Sequence, residues 1–316
     1  MSLLCHDAAD LFGLLSGAGI ELAWHPSLSE QSAGEVLELL GEFERGERPL
    51  ELLCVEGSLL RGPRNTGGFH RFAGSGRPMI EVVSALAQRA RHVLAIGTCA
   101  AYGGVTAAGA NPTDACGLQY DGDVPGGLLG AEFHAAGGMR VINVAGCPTH
   151  PGWVVDTLLA LGLGEMRAED LDALGRPRFY AEELVHHGCA RNEFYEFKAS
   201  ADKPSDQGCM MENMGCMGTQ AHADCNLRTW NGAGSCLRGG FPCISCTEPG
   251  FEEPGHAFSQ TPKVAGIPIG LPADMPKAWF VALGALSKSA TPKRVRQNAV
   301  SFRQEIAPAI RKTGLK

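Results

Sequence analysis

The amino-acid sequence predicts an α/β protein in two parts: a doubly wound parallel-sheet domain and then an irregular, cysteine-rich domain. In the first half, short apolar runs alternate with segments of helical apolar spacing, which is typical of a parallel sheet covered on both faces. From residue 186 to residue 254 this periodicity is lost, and Gly, Cys, Asn and Met dominate. We therefore expect the first domain to span residues 1–170 and the second to span residues 171–316.

The elements of the first domain can be read in chain order. Alternation of apolar and polar residues predicts a strand at 20–25, and Ser32 and Glu35 form a capping box that begins a helix. Further strands are predicted at 50–55, 92–96 and 141–144, further helices at 79–90 and 153–161, and one helix of the second domain at 276–290.

Composition excludes several classes of protein. The net charge of −7 over 316 residues argues against a nucleic-acid-binding protein, because such proteins usually carry a basic face. No apolar run reaches the ~18 residues that a membrane span needs. The stretch 1–20 contains no Lys or Arg and so lacks the basic start of a secretion signal. We therefore expect a cytoplasmic protein without a membrane span, whose thiols stay reduced.

Cysteines are concentrated in the second half, where seven of the twelve lie between residues 189 and 246. In a reducing compartment this pattern favours metal ligation over disulfides. The irregular spacing with one C-x-x-C motif favours iron–sulfur clusters, although four-ligand sets of Cys and His also suit zinc. Cys54 and Cys116 are expected to be ordinary packed thiols. Eight candidate ligands divide into two sets: His186, Cys189, Cys209 and Cys216, then Cys225, Cys236, Cys243 and Cys246.

Three further candidate residues stand directly after predicted strands. Cys99 follows the strand at 92–96, and Cys147 follows the strand at 141–144. Ligands of an open parallel sheet bind at the carboxyl ends of its strands, so these two thiols are expected to share a metal centre. Two buried structural thiols are the ordinary alternative. Glu56, after a third strand, is either a buried hydrogen-bonded carboxylate or a group that supports the metal centre.

Taken together, these motifs resemble the small subunit of nickel–iron hydrogenases, and in particular the cytoplasmic uptake or hydrogen-sensing branch. The similarity extends over essentially the whole chain. The order of the motifs is specific, whereas GTCA or C-x-x-C alone would be weak. The stretches that carry the resemblance are VEGS at 55–58, GTCAAYGG at 97–104, GCPTHP at 146–151, HHGC at 186–189 and the run from DCN to CISCTEP at 224–249.

The resemblance implies a flavodoxin-like first domain and an irregular iron–sulfur cluster domain after it. It also implies three clusters that lead electrons away from a nickel–iron site in a partner large subunit. Cys99 and Cys147 match ligands of the proximal cluster, nearest that site. The remaining matches are His186, Cys189, Cys209 and Cys216 for a distal 4Fe–4S cluster, and Cys225, Cys243 and Cys246 for the medial cluster.

Three departures from the family pattern lead to further expectations. No strand and loop with additional proximal-cluster cysteines precede Cys5, itself expected to be a helix residue. The proximal 4Fe–4S cluster is therefore expected to be incomplete in this chain, through truncation or a misassigned start site. Cys236 stands where many relatives have proline, which predicts a medial 4Fe–4S rather than a 3Fe–4S cluster. An export signal and a membrane tail are missing, which favours the cytoplasmic branch.

The expected function is that of an electron-relay subunit of a hydrogenase. Electrons from hydrogen oxidation in the large subunit would pass to an acceptor protein, and we identify no catalytic acid or base in this chain. The alternative is the small subunit of a hydrogen sensor that signals to a kinase. The small subunit of respiratory NADH dehydrogenase, which shares the first-cluster domain but lacks the later ligand sets, and a zinc-only structural protein are less favoured.

Overall fold

The computed structural model describes residues 10–253 and 260–306. The chain forms two compact units. Unit 1 comprises residues 1–182 and 246–256, and unit 2 comprises residues 183–245 and 257–316. The last part of the cysteine-rich region, from Cys246, thus belongs with the first unit. The domain boundary expected at residues 170–171 stays a prediction.

Unit 1 is an α/β structure, as predicted. In chain order its described elements are α1 (Leu11–Gly17), α2 (Ala33–Arg45), β1 (Leu52–Glu56), β2 (Leu59–Leu60), α3 (Met79–Ala87), β3 (His92–Ile96), α4 (Thr98–Tyr102), α5 (Gly104–Ala107), β4 (Ala115–Cys116), β5 (Tyr120–Asp121), β6 (Val124–Pro125), β7 (Ile142–Val144), α6 (Pro151–Gly162) and α7 (Arg178–Ala181), with a 3₁₀ turn at Ala168–Asp170.

A parallel sheet with strand order β1-β3-β7 forms the centre of this unit. Glu56 is the register partner of Ile96, and Ile96 is the partner of Val144, so the three strands end level with one another. The three central residues of β3, from Val93 to Ala95, are fully buried, which explains why they are all apolar. The level strand ends create the edge at which the loops carrying Cys99 and Cys147 begin.

The strand predicted at 20–25 is wrong, because this stretch has no regular secondary structure. A strand needs a neighbour that bonds its backbone, and within the described residues β1 pairs only with β3. Ala23 and Trp24 instead pack by their side chains against the apolar cluster of α2 and α3. Apolar alternation in this stretch therefore reflects side-chain packing and not a sheet.

Helix α2 begins at the predicted capping box. The Ser32 hydroxyl accepts from the Glu35 amide at 3.4 Å, and the Glu35 carboxylate accepts from the Ser32 amide at 2.7 Å. Gly46, with a φ of 74°, ends the helix in the left-handed conformation that glycine adopts readily. One face of the helix packs on Val82 and Leu86 of α3 through Val36, Leu39, Leu40 and Phe43.

Two of the described cysteines, Cys54 and Cys116, lie outside the ligand sets and differ in their surroundings. Cys116 is fully buried in β4, where its thiol donates to the Leu59 carbonyl at 3.5 Å, as expected for a packed thiol. Cys54 is an exposed residue of β1, so it does not lie in the core. Burial nevertheless raises the pKa of its thiol to about 12, so protein atoms surround the sulfur itself, as expected for a packed thiol.

Unit 2 contains little regular secondary structure, as predicted for the cysteine-rich region. The helix expected at 276–290 is confirmed at 277–290. Met210, Met211 and Met214 are buried and supply apolar packing where strands and helices are scarce. No helix within the described ranges is both long and apolar enough to cross a membrane. The described elements are α8 (Asn192–Glu196), β8 (Lys263–Val264), β9 (Ile267–Pro268), α9 (Lys277–Ala290) and α10 (Lys293–Ala299).

A buried arginine binds Thr247 and Glu248 to the rest of unit 1. The Arg176 guanidinium donates to the Asp172 carboxylate at 2.7 Å and to the Glu248 carboxylate at 2.8 Å. It also donates to the Thr247 carbonyl at 3.2 Å. The Arg176 side chain is only 4% exposed, so its charge is compensated almost entirely by these partners.

Replacing this arginine is expected to destabilise unit 1. Arg176→Met leaves two carboxylates without their cation, and we expect the free energy of unfolding to fall by about 3 kcal/mol or more. Urea unfolding followed by circular dichroism measures the change. Arg167→Met is the matched control, because the Arg167–Glu169 pair is 3.8 Å apart with side chains 74% and 70% exposed. The control should change stability by less than ~0.5 kcal/mol. Equal effects of both substitutions would contradict the expectation.

Candidate metal centres

The loops that carry Cys99 and Cys147 meet at the edge of the sheet in unit 1. Cys99 lies in the first turn of α4, and Cys147 lies just after β7. The Thr98 amide donates to the Gly146 carbonyl at 3.0 Å, and the Thr98 hydroxyl accepts from the Gly146 amide at 2.9 Å. This reciprocal pair of hydrogen bonds holds the two cysteine loops side by side, as the strand positions predict.

A glycine allows the backbone to approach the Cys99 sulfur closely. Gly104 has a φ of 55°, and a Cβ atom at this position would lie 2.7 Å from the Cys99 Sγ. Any other residue would therefore collide with the thiol. With glycine at this position, the backbone can lie directly beside the Cys99 sulfur. Such an approach suits a metal cluster, because cluster sulfurs accept hydrogen bonds from nearby backbone amides.

The electrostatic surroundings of both thiols disfavour a free thiolate. Burial raises the pKa of Cys99, and the carboxylates of Glu252 and Glu56 raise it further, against a hydrogen bond from the Val105 amide that lowers it. Cys147 is exposed, but the protein around it removes enough water to raise its pKa, as do Cys99 and Glu252. A bound metal cation reverses this preference, because it attracts the deprotonated sulfur.

Glu56 lies at the end of β1 and is exposed, so the alternative of a buried carboxylate is wrong. Its influence on the pKa of Cys99 places it near that thiol. Sequence reasoning missed Glu252, a half-buried group whose pKa is raised by burial. Its Oε2 atom is buried and has no hydrogen-bond partner within residues 10–253 and 260–306. No motif marks this position in the sequence.

Thr98 is a second residue that the sequence did not single out. It is 1% exposed, and its hydroxyl donates to the carbonyl of Cys246 at 2.5 Å. Three cysteine-bearing segments therefore converge on one threonine. Cys246 belongs to unit 1 and Cys243 to unit 2, so the C-x-x-C motif contains the point at which the chain passes between the units.

Unit 2 brings together the predicted distal ligands. Burial raises the pKa of the Cys189, Cys209 and Cys216 thiols, in the case of Cys209 to about 12, and Cys209 also interacts electrostatically with the other two. The His186 amide donates to the Gly218 carbonyl at 2.9 Å, and a Cβ on Gly218 would lie 3.6 Å from the Cys216 Sγ. Three thiols and one imidazole are thus neighbours in this unit.

Backbone amides point at the sulfurs of this unit. The Arg191 amide donates to the Cys189 Sγ at 3.3 Å, and the Cys243 amide donates to the Cys216 Sγ at 3.4 Å. The Ser245 amide donates to the Cys243 Sγ at the same distance of 3.4 Å. Such hydrogen bonds stabilise negative charge on sulfur and tune the potential of iron–sulfur clusters.

His186 has the properties of a metal ligand. Its side chain is 13% exposed, and burial lowers its pKa, so the imidazole is neutral near pH 7. Its Nε2 atom lies 3.0 Å from Asp274 Oδ2, whereas Nδ1 is buried without a hydrogen-bond partner among the described residues. A buried ring nitrogen of this kind costs free energy unless it binds something, and a metal ion satisfies it. The donor set of unit 2 therefore fits a cluster.

His187, the other histidine of the motif, is exposed and hydrogen-bonded to two carboxylates. Its Nδ1 lies 2.8 Å from Glu183 Oε2, and its Nε2 lies 3.2 Å from Asp274 Oδ2. His187 is therefore a surface residue whose two ring nitrogens are both occupied by carboxylates.

Arg191 is a third residue missed from the sequence. Its Nη1 donates to the carbonyls of Asp206 and Gly208 at 2.6 and 2.7 Å. Burial lowers its pKa, and its charge interacts with all three thiols of the distal set. A fixed cation near three sulfurs favours their ionised forms. An arginine two positions after a cysteine carries no sequence signal of its own.

The predicted medial ligands are placed as follows. Cys225 is partly buried and Cys236 is exposed, both in unit 2 with Cys243. Cys246 lies in unit 1, and this ligand set stays a prediction. Cys5 lies outside the described residues.

Two family models match the chain. The model for the C-terminal part of NiFe/NiFeSe hydrogenase small subunits matches residues 180–259. The model for the 20 kDa subunit of NADH ubiquinone oxidoreductase matches residues 1–161. Residues 1–161 are thus similar to the subunit of the respiratory enzyme, whereas residues 180–259 are similar to hydrogenase small subunits.

Similar proteins come from several branches. The chain is 31% identical to the F420 non-reducing hydrogenase II small subunit of Methanosarcina mazei, over 94% of this chain and 80% of the relative. It is 34% identical to the periplasmic [NiFeSe] hydrogenase small subunit of Desulfomicrobium baculatum, over 76% of each. The predicted uptake or sensing branch is therefore not decided.

Solved structures agree with this relationship. The actinobacterial-type NiFe-hydrogenase from Ralstonia eutropha H16 matches with a TM-score of 0.71 and 27% identity, over 99% of this chain and 90% of that one. The Desulfomicrobium baculatum Ni–Fe–Se hydrogenase matches with a TM-score of 0.68 and 28% identity, over 82% and 94%. From the relatives at more than 30% identity and the family model that matches residues 180–259, this chain belongs to the family of nickel–iron hydrogenase small subunits.

Proposed function

We propose that this chain relays electrons from the nickel–iron site of a large subunit to a separate acceptor protein. The observation that carries the proposal is the donor set of unit 2, three neighbouring thiols and a neutral histidine whose buried Nδ1 has no partner within the described ranges. These groups suit ligation, and none of them is arranged as a nucleophile with its base. Bound iron–sulfur clusters would supply one-electron transfer.

The residues that would hold the clusters differ in charge. Cys99 and Cys147 offer thiolates to the proximal cluster, as the family pattern implies. In the distal set His186 replaces one thiolate by a neutral group, which reduces negative charge and raises the reduction potential. Arg191 acts in the same direction, because its cation stabilises added electrons. The medial set would comprise Cys225, Cys236, Cys243 and Cys246.

The location and the acceptor belong to the same proposal. We place the protein in the cytoplasm, where thiols stay reduced and therefore available as metal ligands. The acceptor is a redox protein. A hydrogen sensor that signals to a kinase would use the same ligands and differs in its turnover and in its partner.

The test is co-purification with the large subunit under anaerobic conditions, followed by hydrogen-dependent reduction of a viologen dye. We expect sustained turnover that depends on both subunits. No dye reduction with an intact large subunit present would contradict the relay. Turnover that stays slow while a histidine kinase binds the complex would favour the sensor.

The distal ligand set makes a prediction about metal content. Cys209→Ala removes one of the four ligands of the set, so we expect the complex to lose at least about one iron per chain, and about four iron and four sulfide if the cluster no longer assembles. Cys116→Ala is the matched control, since its thiol is also buried but lies outside the candidate centres. Iron and sulfide quantification measures both. Unchanged iron content in Cys209→Ala would remove this residue from the ligand set.

The fourth medial thiol makes a prediction about cluster type. With Cys236 as a ligand, the oxidised complex should lack the electron paramagnetic resonance signal of a 3Fe–4S cluster. Cys236→Ala leaves three ligands and should create that signal. Cys54→Ala is the control, because Cys54 is likewise an exposed residue but belongs to none of the candidate ligand sets. A strong 3Fe–4S signal in the unmodified complex would contradict the assignment.

A further inference from the structure

A carboxylate in unit 2 joins both histidines of the HHGC motif. Asp274 Oδ2 lies 3.0 Å from His186 Nε2 and 3.2 Å from His187 Nε2. The loop that carries Asp274 is fixed near His186 by backbone bonds, because the Ala273 amide donates to the Thr219 carbonyl at 3.0 Å. The residue before that threonine accepts from the His186 amide at 2.9 Å. Asp274 is therefore held in place independently of its own side chain.

The contact with Asp274 determines which nitrogen of His186 carries the proton. An ionised carboxylate only accepts hydrogen bonds, so the neutral imidazole must have its single N–H at Nε2. Nδ1 is then the nitrogen with a lone pair, and it is the buried atom that lacks a partner among the described residues. The rings of His187 and Tyr195, with centroids 4.6 and 5.1 Å from that of His186, limit its rotation.

We propose that Asp274 is the positioning residue of the distal centre, which fixes His186 as a ligand through Nδ1. The inference rests on the proposed function, because it takes the distal centre to be bound by His186. A carboxylate that accepts from a ligating imidazole increases the electron donation of that imidazole. Asp274 thus lowers the reduction potential of the distal centre. This opposes the effect of Arg191, whose charge raises the potential through the three thiols.

A competing arrangement uses the same residues. His186, His187 and Asp274 each offer a ligand atom, and these atoms lie within 4.8 Å of one another, which would suit a single divalent ion at the surface. In that arrangement His187 is as necessary as Asp274. If Asp274 positions His186, His187 is dispensable, because it contacts only the shared carboxylate oxygen and Glu183.

The experiment compares four variants of the complete complex, labelled with ¹⁵N-histidine. Asp274→Asn removes the charge, and Asp274→Glu keeps it. Glu183→Gln is the matched control, since it removes a carboxylate that bonds His187 alone, and His187→Gln tests the single-ion arrangement. The readouts are the histidine nitrogen hyperfine coupling of the reduced distal cluster and its reduction potential in a redox titration.

We expect the unmodified complex to show one coupled histidine nitrogen. In Asp274→Asn the potential should shift upward and the coupling should change, while Glu183→Gln and His187→Gln stay close to the unmodified complex. If Asp274→Asn fails to assemble the cluster, recovery in Asp274→Glu supports the inference, and failure of both with the controls intact overturns it in favour of a structural role.

Three other results would overturn it. A coupled nitrogen in the unmodified complex together with an unchanged potential and coupling in Asp274→Asn removes the positioning role and leaves the proposed function intact. If His187→Gln changes the nitrogen coupling and the reduction potential as much as Asp274→Asn does, the result indicates the single-ion arrangement. Absence of any histidine coupling in an active complex shows that the distal ligand assignment is wrong, while dye reduction separately reports on the relay.

Discussion

A thiol that is surrounded by protein ionises only where a cation compensates its charge, and the organisation of unit 2 depends on this constraint. Burial raises the pKa of Cys189, Cys209 and Cys216, and the charge of Arg191 interacts with all three thiols. The unit has few strands and helices around these groups, and its buried apolar clusters are small. Ligation free energy can replace the missing apolar core, which explains how so irregular a chain keeps a defined structure.

Unit 1 positions its candidate ligands, Cys99 and Cys147, by regular secondary structure. Three strands that end level bring two cysteine loops to one edge, and Thr98 bonds these loops to each other and to the carbonyl of Cys246. Gly104 leaves room beside the Cys99 sulfur that any Cβ would fill. The position of this centre therefore follows from sheet register, whereas the position of the centre in unit 2 follows from individual side-chain contacts.

This difference explains how much of the protein could be predicted from its sequence. The strand at 92–96 and the capping box of Ser32 and Glu35 were predictable because their signals are local. The stretch at 20–25 was not, since a strand also depends on a partner that its own residues cannot reveal. The order and spacing of the cysteines and of His186 in the sequence indicated the ligand sets. The role of Asp274 could not be predicted for the same reason, because it contacts His186 from 88 positions away in the chain and no local pattern marks the contact.

Opposed charges around the distal set suggest why its histidine has a carboxylate partner at all. Arg191 and a neutral imidazole both raise the affinity of the centre for electrons, and a centre that holds electrons too strongly transfers them slowly to an acceptor. Asp274 returns electron density through the imidazole ring, at the side where His187 and Glu183 are exposed. The carboxylate therefore adjusts the potential through the histidine ligand, and Arg191 adjusts it through the three thiols. Because Asp274 acts through His186 and Arg191 acts through the thiols, substitution of either residue can change the reduction potential without moving a ligand.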